Sequence, residues 1–257
     1  MEKSMKRIYI SLLAVFLVTA GLSQQALSQD SKALANAVVT AADRSPEDRA
    51  MDAGRKPVEL LAFLGMQPGW RIADLGAGGG YTTELLKRAV GSEGVVYGQN
   101  SKKLLEMFLE KPWSARLAKP AMKGVVRLDR DFDDPLPGDA RPLDAVTMVL
   151  FYHDTVWLGV NRDAMNKAVF DALKPGGVYV IVDHSARPGD GVDVANTFHR
   201  IDENVVKSEV QAAGFVLDGQ ADFLRNKDDT RDWNDSPRAA GERRGTSDRF
   251  VLRFRKP

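Results

Sequence analysis

Short apolar runs alternate along the chain with segments whose apolar residues recur at helical spacing. The runs AVTMVLF and VYVIV are almost continuously apolar, as expected of strands that are covered on both faces of a sheet. Alternating strands and helices predict an α/β fold with a doubly wound, mostly parallel sheet. The predicted strands are 71–75, 94–97, 125–128, 143–150, 178–182, 215–223 and 249–255, and the predicted helices are 45–53, 58–64, 82–89, 102–109, 162–173 and 203–213. Since no helix separates the last two strands, we expect an antiparallel hairpin at the sheet edge.

The N-terminus has the pattern of a secretory signal peptide. Basic residues precede an uncharged apolar run over 8–22, and a polar stretch with small residues follows as far as Ser28. The apolar run is shorter than the roughly 20 residues that a membrane-spanning helix needs, so we expect cleavage after Ser28 and export, in a bacterium to the periplasm. The sequence therefore predicts a signal peptide (1–28), an N-terminal helical segment (29–57) and one domain (58–257).

Composition excludes several kinds of site and partner. The 257 residues include no cysteine, which excludes disulfides, thiolate metal sites, cysteine nucleophiles and a lipid-modified cysteine. Without segment 1–28, the 36 basic and 35 acidic residues become 33 and 34, a net charge of −1. A nearly neutral mature chain gives no electrostatic reason to expect binding to nucleic acid. We expect a small-molecule substrate and no membrane contact after cleavage, and the sequence leaves the oligomeric state open. The segment 225–244, rich in both charges, is expected to be a solvated loop.

A cluster of glycines follows the first predicted strand in the stretch RIADLGAGGGYTT. In a doubly wound sheet this first turn is a ligand site, because bare backbone and a helix N-terminus lie there together. A dinucleotide-binding fingerprint requires glycine at 76, 78 and 81, but position 81 is Tyr81. The spacing therefore disfavours a pyrophosphate ligand.

From Ala73 onward the layout resembles that of the class I S-adenosylmethionine-dependent methyltransferases. The resemblance covers roughly residues 58–257 and includes a second signature, LKPGG, just before the strand VYVIV. The segments VYGQN, FYHD, VDHSARPG and DRFVLRFRKP resemble those of a bacterial group of predicted exported methyltransferases. This resemblance implies a seven-stranded sheet of Rossmann-like methyltransferase type, S-adenosylmethionine as cofactor and methyl transfer to a small molecule.

The resemblance also implies which residues hold the cofactor. The glycines of the turn would line its methionine half, and Asp74 would order the turn or reach the cofactor amino group through water. Asn100 stands where the family usually has an acid that binds the ribose hydroxyls, and its amide lacks the charge that strengthens such a bond. The residues implied for the cofactor are Asp74, Gly76, Gly78, Gly80, Asn100, Asp131 and Phe132, the last two near the adenine. The two loop residues could equally be ordinary solvated positions.

All three histidines of the chain border segments that should end at the ligand edge of the sheet. His153 and His184 each neighbour an acid, Asp154 and Asp183, and a carboxylate partner orients an imidazole as a general base. We therefore predict these four residues as catalytic. His199 is predicted to bind the substrate at the same edge.

Two further residues are predicted to contact the substrate. Tyr152 lies within FYHD, and Arg55 precedes the first strand, from where it could pair with a carboxylate of a ligand. For Arg55, an ordinary exposed helix junction is the alternative.

A second hypothesis concerns function outside the cytoplasm. Adenosylmethionine is made in the cytoplasm, whereas the signal peptide directs this chain elsewhere. The alternative is an exported methyltransferase-like domain that binds or acts on another small ligand, with or without a metal at the histidines. Their spacings of 31 and 15 residues match no metal motif, so we predict no metal ligands. The fold alone does not decide between the two hypotheses.

Overall fold

A seven-stranded sheet forms the centre of the computed structural model, which describes residues 29–257. The predicted signal peptide lies outside these described residues. The strands are β1 (Arg71–Leu75), β2 (Val95–Asn100), β3 (Val125–Asp129), β4 (Leu143–Val149), β5 (Leu173–His184), β6 (Val216–Ala221) and β7 (Arg249–Arg255). Their order is β3-β2-β1-β4-β5-β7-β6. The first five strands pair in parallel, whereas β7 runs antiparallel to both β5 and β6. The doubly wound sheet with an antiparallel edge pair is thus confirmed.

Helices connect the strands and cover both faces of the sheet. They are α1 (29–39), α2 (Pro46–Arg55), α3 (Pro57–Leu64), α4 (Tyr81–Val90), α5 (Lys102–Leu104), α6 (Glu110–Leu117), α7 (Asp154–Leu158), α8 (Arg162–Ala172), α9 (Ala195–Phe198) and α10 (Glu203–Ala212). A π-helical turn, Leu105–Leu109, joins α5 to α6. In the described range 29–257, no helix is long and apolar enough to cross a membrane.

Apolar side chains from the helices pack against each face of the sheet. On one face α8 and α10 contribute, and on the other α1, α3 and α4 contribute. Representative buried residues are Val146, Met165, Val169, Val206 and Val210 on the first face, and Ala35, Val38, Leu61, Ile72 and Leu86 on the second. Because α1 is part of this core, the N-terminal helical segment packs directly against the residues that follow it.

Charged residues fix the N-terminal helices above the first strand-to-helix turn. Ser45 caps α2 by accepting a hydrogen bond from the backbone of Asp48 at 3.2 Å. Arg116 of α6 pairs with Asp48 and also with Glu84 of α4, at 2.6 Å. Since all three side chains are largely shielded from water, this cluster orients α2, whose last residue is Arg55.

The long connection between β6 and β7 differs from the solvated loop that the sequence predicted for 225–244. Asp229 pairs with the fully buried Arg200 at 2.7 Å, and the Arg200 guanidinium lies 4.7 Å from the centre of the Trp233 ring. Asp235 and Asp248 in or beside this segment are also buried. The prediction is therefore wrong for Asp229 and Asp235, because each of these buried carboxylates has a partner elsewhere in the fold.

Candidate active site at the carboxyl ends of the strands

The glycine turn after β1 is held by two amide side chains at the end of β2. The Gly78 N–H donates to Asn100 Oδ1 at 2.9 Å, and Asn100 Nδ2 donates back to the Gly78 carbonyl at 3.2 Å. The Gly76 N–H donates to Gln99 Oε1 at 3.0 Å. Both amide side chains are fully buried, so they fix the shape of the turn in this conformation. The contact of Asn100 with a ribose stays a prediction.

Asp74 also acts within the fold. Its two carboxylate oxygens accept hydrogen bonds from Thr83 at 2.6 Å and from Thr147 at 2.8 Å. Burial raises the pKa of Asp74 to about 6, although both hydroxyl groups and Arg55 oppose the shift. These contacts join the end of β1 to α4 and β4, and both roles implied by the resemblance stay predictions.

The space around the three glycines differs from one to the next, although each has a positive φ, between 57° and 82°. A Cβ atom at Gly76 would lie 2.4 Å from the ring of Phe151, and one at Gly80 would lie 2.7 Å from Trp113. A Cβ atom at Gly78 would meet only a backbone oxygen, at 3.9 Å. The chain therefore packs its own aromatic rings against Gly76 and Gly80 but leaves open space beside Gly78.

The two residues expected near the adenine have different surroundings. Asp131 is exposed, so its carboxylate is accessible to a ligand. Phe132 is buried and stacks on Phe151, with ring centres 4.9 Å apart and an angle of 22° between the rings. A ligand ring that contacts Phe132 must therefore share that side chain with Phe151.

The three histidines do come together, as the sequence predicted from their positions. The ring of His153 lies 5.4 Å from that of His184 and 5.2 Å from that of His199, centre to centre. The side chains are 3%, 10% and 25% exposed for His153, His184 and His199. His199 is therefore the member of the group that is most accessible to a ligand.

His153 forms the centre of the charged network. Its Nδ1 lies 2.6 Å from Asp183 Oδ1, while its Nε2 lies 3.2 Å from Asp154 Oδ1 and 3.1 Å from His199 Nδ1. Burial opposes a charge on this ring, but the carboxylates of Asp183 and Asp154 outweigh it and raise the pKa of His153 to about 10. Asp183 also accepts hydrogen bonds from the backbone of His153 and His184, at 2.7 and 2.8 Å.

His184 belongs to a separate pair. Its Nδ1 lies 2.5 Å from Asp235 Oδ2 and 2.8 Å from Ser247 Oγ. Burial lowers the pKa of His184. Because its partners come from the connection between β6 and β7, this histidine joins that loop to the end of β5.

Two predicted substrate contacts lie in different environments. Tyr152 is fully buried, and its hydroxyl group bonds to Glu209 and Asn166, each at 2.8 Å. These partners belong to α10 and α8, so the structure gives no support for a contact between Tyr152 and a substrate. Arg55, by contrast, lies beside Tyr81, the first residue of α4.

Arg55 lines a narrow cavity of about 10 Å³ beside the N-terminus of α4. Its guanidinium group lies 4.9 Å from the centre of the Tyr81 ring, and the cavity wall also includes Arg249. Within the described residues, neither arginine forms an ion pair with a carboxylate, and Arg249 donates to backbone carbonyls instead. The two arginines therefore place positive charge beside a helix N-terminus, which favours a nearby anion, whereas the cavity itself has room for about one water molecule.

Four residues of this site were not predicted from the sequence. Phe151 covers Gly76, Trp157 donates to Asp154 Oδ1 at 2.6 Å, and Asp235 and Ser247 hold His184. Phe151 and Trp157 are two and four residues from His153 in the sequence. Their closeness to that histidine was the one signal that could have identified them as site residues. Nothing in the sequence separates Asp235 from the other acids of its loop.

Comparison with known proteins gives matches only at the level of structure. No family model matches the sequence, and a search of curated proteins finds no relative. A SAM-dependent methyltransferase from Aquifex aeolicus matches with a TM-score of 0.57 and 17% identity, over 80% of this chain and 93% of that one. An S-adenosylmethionine-dependent methyltransferase from Mesorhizobium loti matches with a TM-score of 0.52 and 20% identity, over 80% of this chain and 99% of that one. These similarities confirm the Rossmann-like methyltransferase fold that the sequence predicted.

Proposed function

We propose that this protein transfers a methyl group from S-adenosylmethionine to a small molecule. The observation that carries the proposal is the glycine turn at the end of β1, where the backbone of Gly78 borders open space. In doubly wound sheets this edge is the ligand site. Phe151, which packs on Gly76, is only two residues from His153, so turn and histidines belong to one edge.

The residues around the turn fit the cofactor in three respects. Bare backbone at Gly78 admits a close ligand contact, the exposed carboxylate of Asp131 is able to accept from an amine, and Arg55 offers a cation without a carboxylate partner among residues 29–257. Adenosylmethionine carries a carboxylate on its methionine half, and we assign that group to Arg55. When bound, the cofactor supplies an electrophilic methyl group on a sulfonium.

The chain's own residues then position the acceptor and manage its proton. In-line displacement requires alignment above all, and His199, with a quarter of its side chain exposed, is the imidazole best placed to contact an acceptor. Behind it, Asp154 contacts both His199 Nδ1, at 3.3 Å, and His153 Nε2. A proton that leaves an acceptor thus passes to His199, because the raised pKa of His153 keeps that ring protonated near neutral pH, held between Asp154 and Asp183.

We further propose that the protein acts after export, in the periplasm of a bacterium, with residues 1–28 removed. The cofactor would then have to be present there. Mass spectrometry of the protein from its native host tests the cleavage: a mature chain that begins at Gln29 supports export, and an intact chain in the cytoplasm contradicts it.

Calorimetric titration tests the cofactor assignment. Purified mature protein is titrated with adenosylmethionine, adenosylhomocysteine and, as a control ligand, NAD. We expect both sulfur ligands to bind in a 1:1 ratio and NAD not to bind, because Tyr81 occupies the third glycine position of a dinucleotide site. Absence of binding to either sulfur ligand, with protein that melts cooperatively, contradicts the proposal.

A further inference from the structure

We propose that His153, Asp154 and His199 form a binding site for a divalent transition-metal ion. The proposal rests on the positions of three atoms that face one another. His153 Nε2, His199 Nδ1 and Asp154 Oδ1 are the corners of a triangle whose sides measure 3.1, 3.2 and 3.3 Å. The inference concerns side chains that the proposed methyl transfer also uses, but it rests on their geometry and is tested by metal binding, without methyl transfer.

The size of the triangle matches one face of a metal coordination sphere. With metal–ligand bonds of about 2.0–2.2 Å, neighbouring ligand atoms lie about 3.0 Å apart in an octahedral site and about 3.4 Å apart in a tetrahedral one. All three sides of the observed triangle fall between these values. One ion would therefore contact all three atoms without a large movement of any side chain.

Two further side chains support the proposed ligands from behind. Asp183 Oδ1 contacts His153 Nδ1 at 2.6 Å, which leaves Nε2 for the metal. Trp157 Nε1 donates to Asp154 Oδ1 at 2.6 Å. Metal-bound histidines almost always have such a carboxylate or carbonyl partner on the second ring nitrogen, and Asp183 provides one for His153.

The backbone also constrains the ligands. His153 and Asp154 are adjacent at the start of α7, whereas His199 ends α9 in the left-handed region, with φ of 52°. Positive φ is uncommon for a residue with a side chain, and such strain clusters at functional sites. The left-handed conformation at the end of α9 accompanies a position in which His199 Nδ1 lies 3.1 Å from His153 Nε2.

The ligand types select the class of metal. Two imidazoles and one carboxylate suit Zn²⁺ or Fe²⁺, whereas Mg²⁺ and Ca²⁺ prefer oxygen ligands. Three protein ligands leave at least one coordination position open. With a quarter of its side chain exposed, His199 borders the accessible side of the triangle, where a substrate oxygen or nitrogen would complete the site.

Zinc titration of untagged, metal-stripped protein tests the proposal. We expect one Zn²⁺ per chain in calorimetry, unaffected by excess Mg²⁺, and Co²⁺ should give visible absorption bands that Zn²⁺ abolishes. Asp154→Asn and His199→Asn should each lower Zn²⁺ affinity by more than about 100-fold, because even loss of an outer partner costs about 10- to 100-fold. Asparagine tolerates the positive φ of position 199. Asp193→Asn, an exposed acid near α9, is the matched control and should bind like the wild type.

These titrations distinguish a metal-binding site from a group of side chains that only form hydrogen bonds with one another. Absence of Zn²⁺ binding by folded wild type, or wild-type affinity in both folded variants, overturns the proposal. Where a variant fails to melt cooperatively, X-ray absorption of zinc-loaded wild type decides instead. Scattering from two imidazoles around the ion supports the site, and its absence contradicts it.

Discussion

Asn100 holds Gly78 by both of its backbone groups, with the carbonyl oxygen of the amide on the Gly78 N–H and the amide nitrogen on the Gly78 carbonyl. A carboxylate at position 100 would keep the first bond but lose the second. It would also place a negative charge against the carbonyl oxygen in a fully buried position. The amide is therefore suited to the turn itself, whatever it contributes to a ligand.

Asn100→Asp should lower the free energy of unfolding by about 1–3 kcal/mol, the usual cost of leaving a buried polar group without its partner. Urea unfolding measures the difference. Asn196→Asp, on an exposed side chain, makes the same chemical change without the buried contact and should stay within about 0.5 kcal/mol of wild type. Equal stability of the two variants would contradict the role of Asn100 in holding the turn.

The buried carboxyl group of Asp74 should make stability depend on pH. Its pKa is raised to about 6 in the folded protein, against about 3.9 in an unfolded chain. Between these values the folded state binds more protons, so this group's contribution falls as the pH rises. The expected loss is about 3 kcal/mol between about pH 4 and pH 7.

Asp74→Asn removes that contribution while keeping a side chain that bonds to Thr83 and Thr147. The difference in unfolding free energy between wild type and variant should therefore change by about 3 kcal/mol across the same pH range. Other titrating groups contribute equally to both proteins and cancel. If the unfolding free energies of wild type and Asp74→Asn change in parallel from pH 4 to pH 7, the pKa of Asp74 is not raised in the folded protein.

Arg55→Gln should weaken binding of adenosylhomocysteine by roughly 10- to 100-fold, because a hydrogen bond to a charged group contributes about 1.5–3 kcal/mol. Binding of 5′-methylthioadenosine, which lacks the amino-acid half, should not change. Lys56→Gln, at the adjacent exposed residue, serves as the control for loss of charge. A similar loss for both ligands in Arg55→Gln would place Arg55 away from the methionine carboxylate.

The sequence predicted the sheet because strand and helix periods are local properties. The predicted second strand ended too early, because Gly98, Gln99 and Asn100 of β2 have low strand propensity. In the structure these residues are covered by the glycine turn and Trp113. Helix α6, which contains Pro112, was also missed. The preceding π-helical turn, Leu105–Leu109, changes the hydrogen bonding just before this proline, and no local pattern indicates such a turn.

The histidine group was predictable in part for the same reason. Strand ends of a parallel sheet share one edge, so the meeting of His153 with His184 followed from the predicted topology. The pairing of His184 with Asp235 did not, because 51 residues separate them in the chain and only the folded loop brings them together. The triangle around His153 likewise depends on the backbone conformation of His199.

Parallel titration of wild type, Gly78→Ala and Gly79→Ala with adenosylhomocysteine tests the central proposal most directly. A methyl group at Gly78 would occupy the open space beside the turn, whereas one at Gly79 would meet only Pro112, at 3.9 Å. Gly78→Ala also strains a positive φ by about 1 kcal/mol, so melting must confirm that both variants are folded. We predict that wild type and Gly79→Ala bind in a 1:1 ratio and that Gly78→Ala binds at least about tenfold more weakly. Equal binding by the two folded variants, or absence of binding by all three proteins, would contradict a cofactor site at the glycine turn.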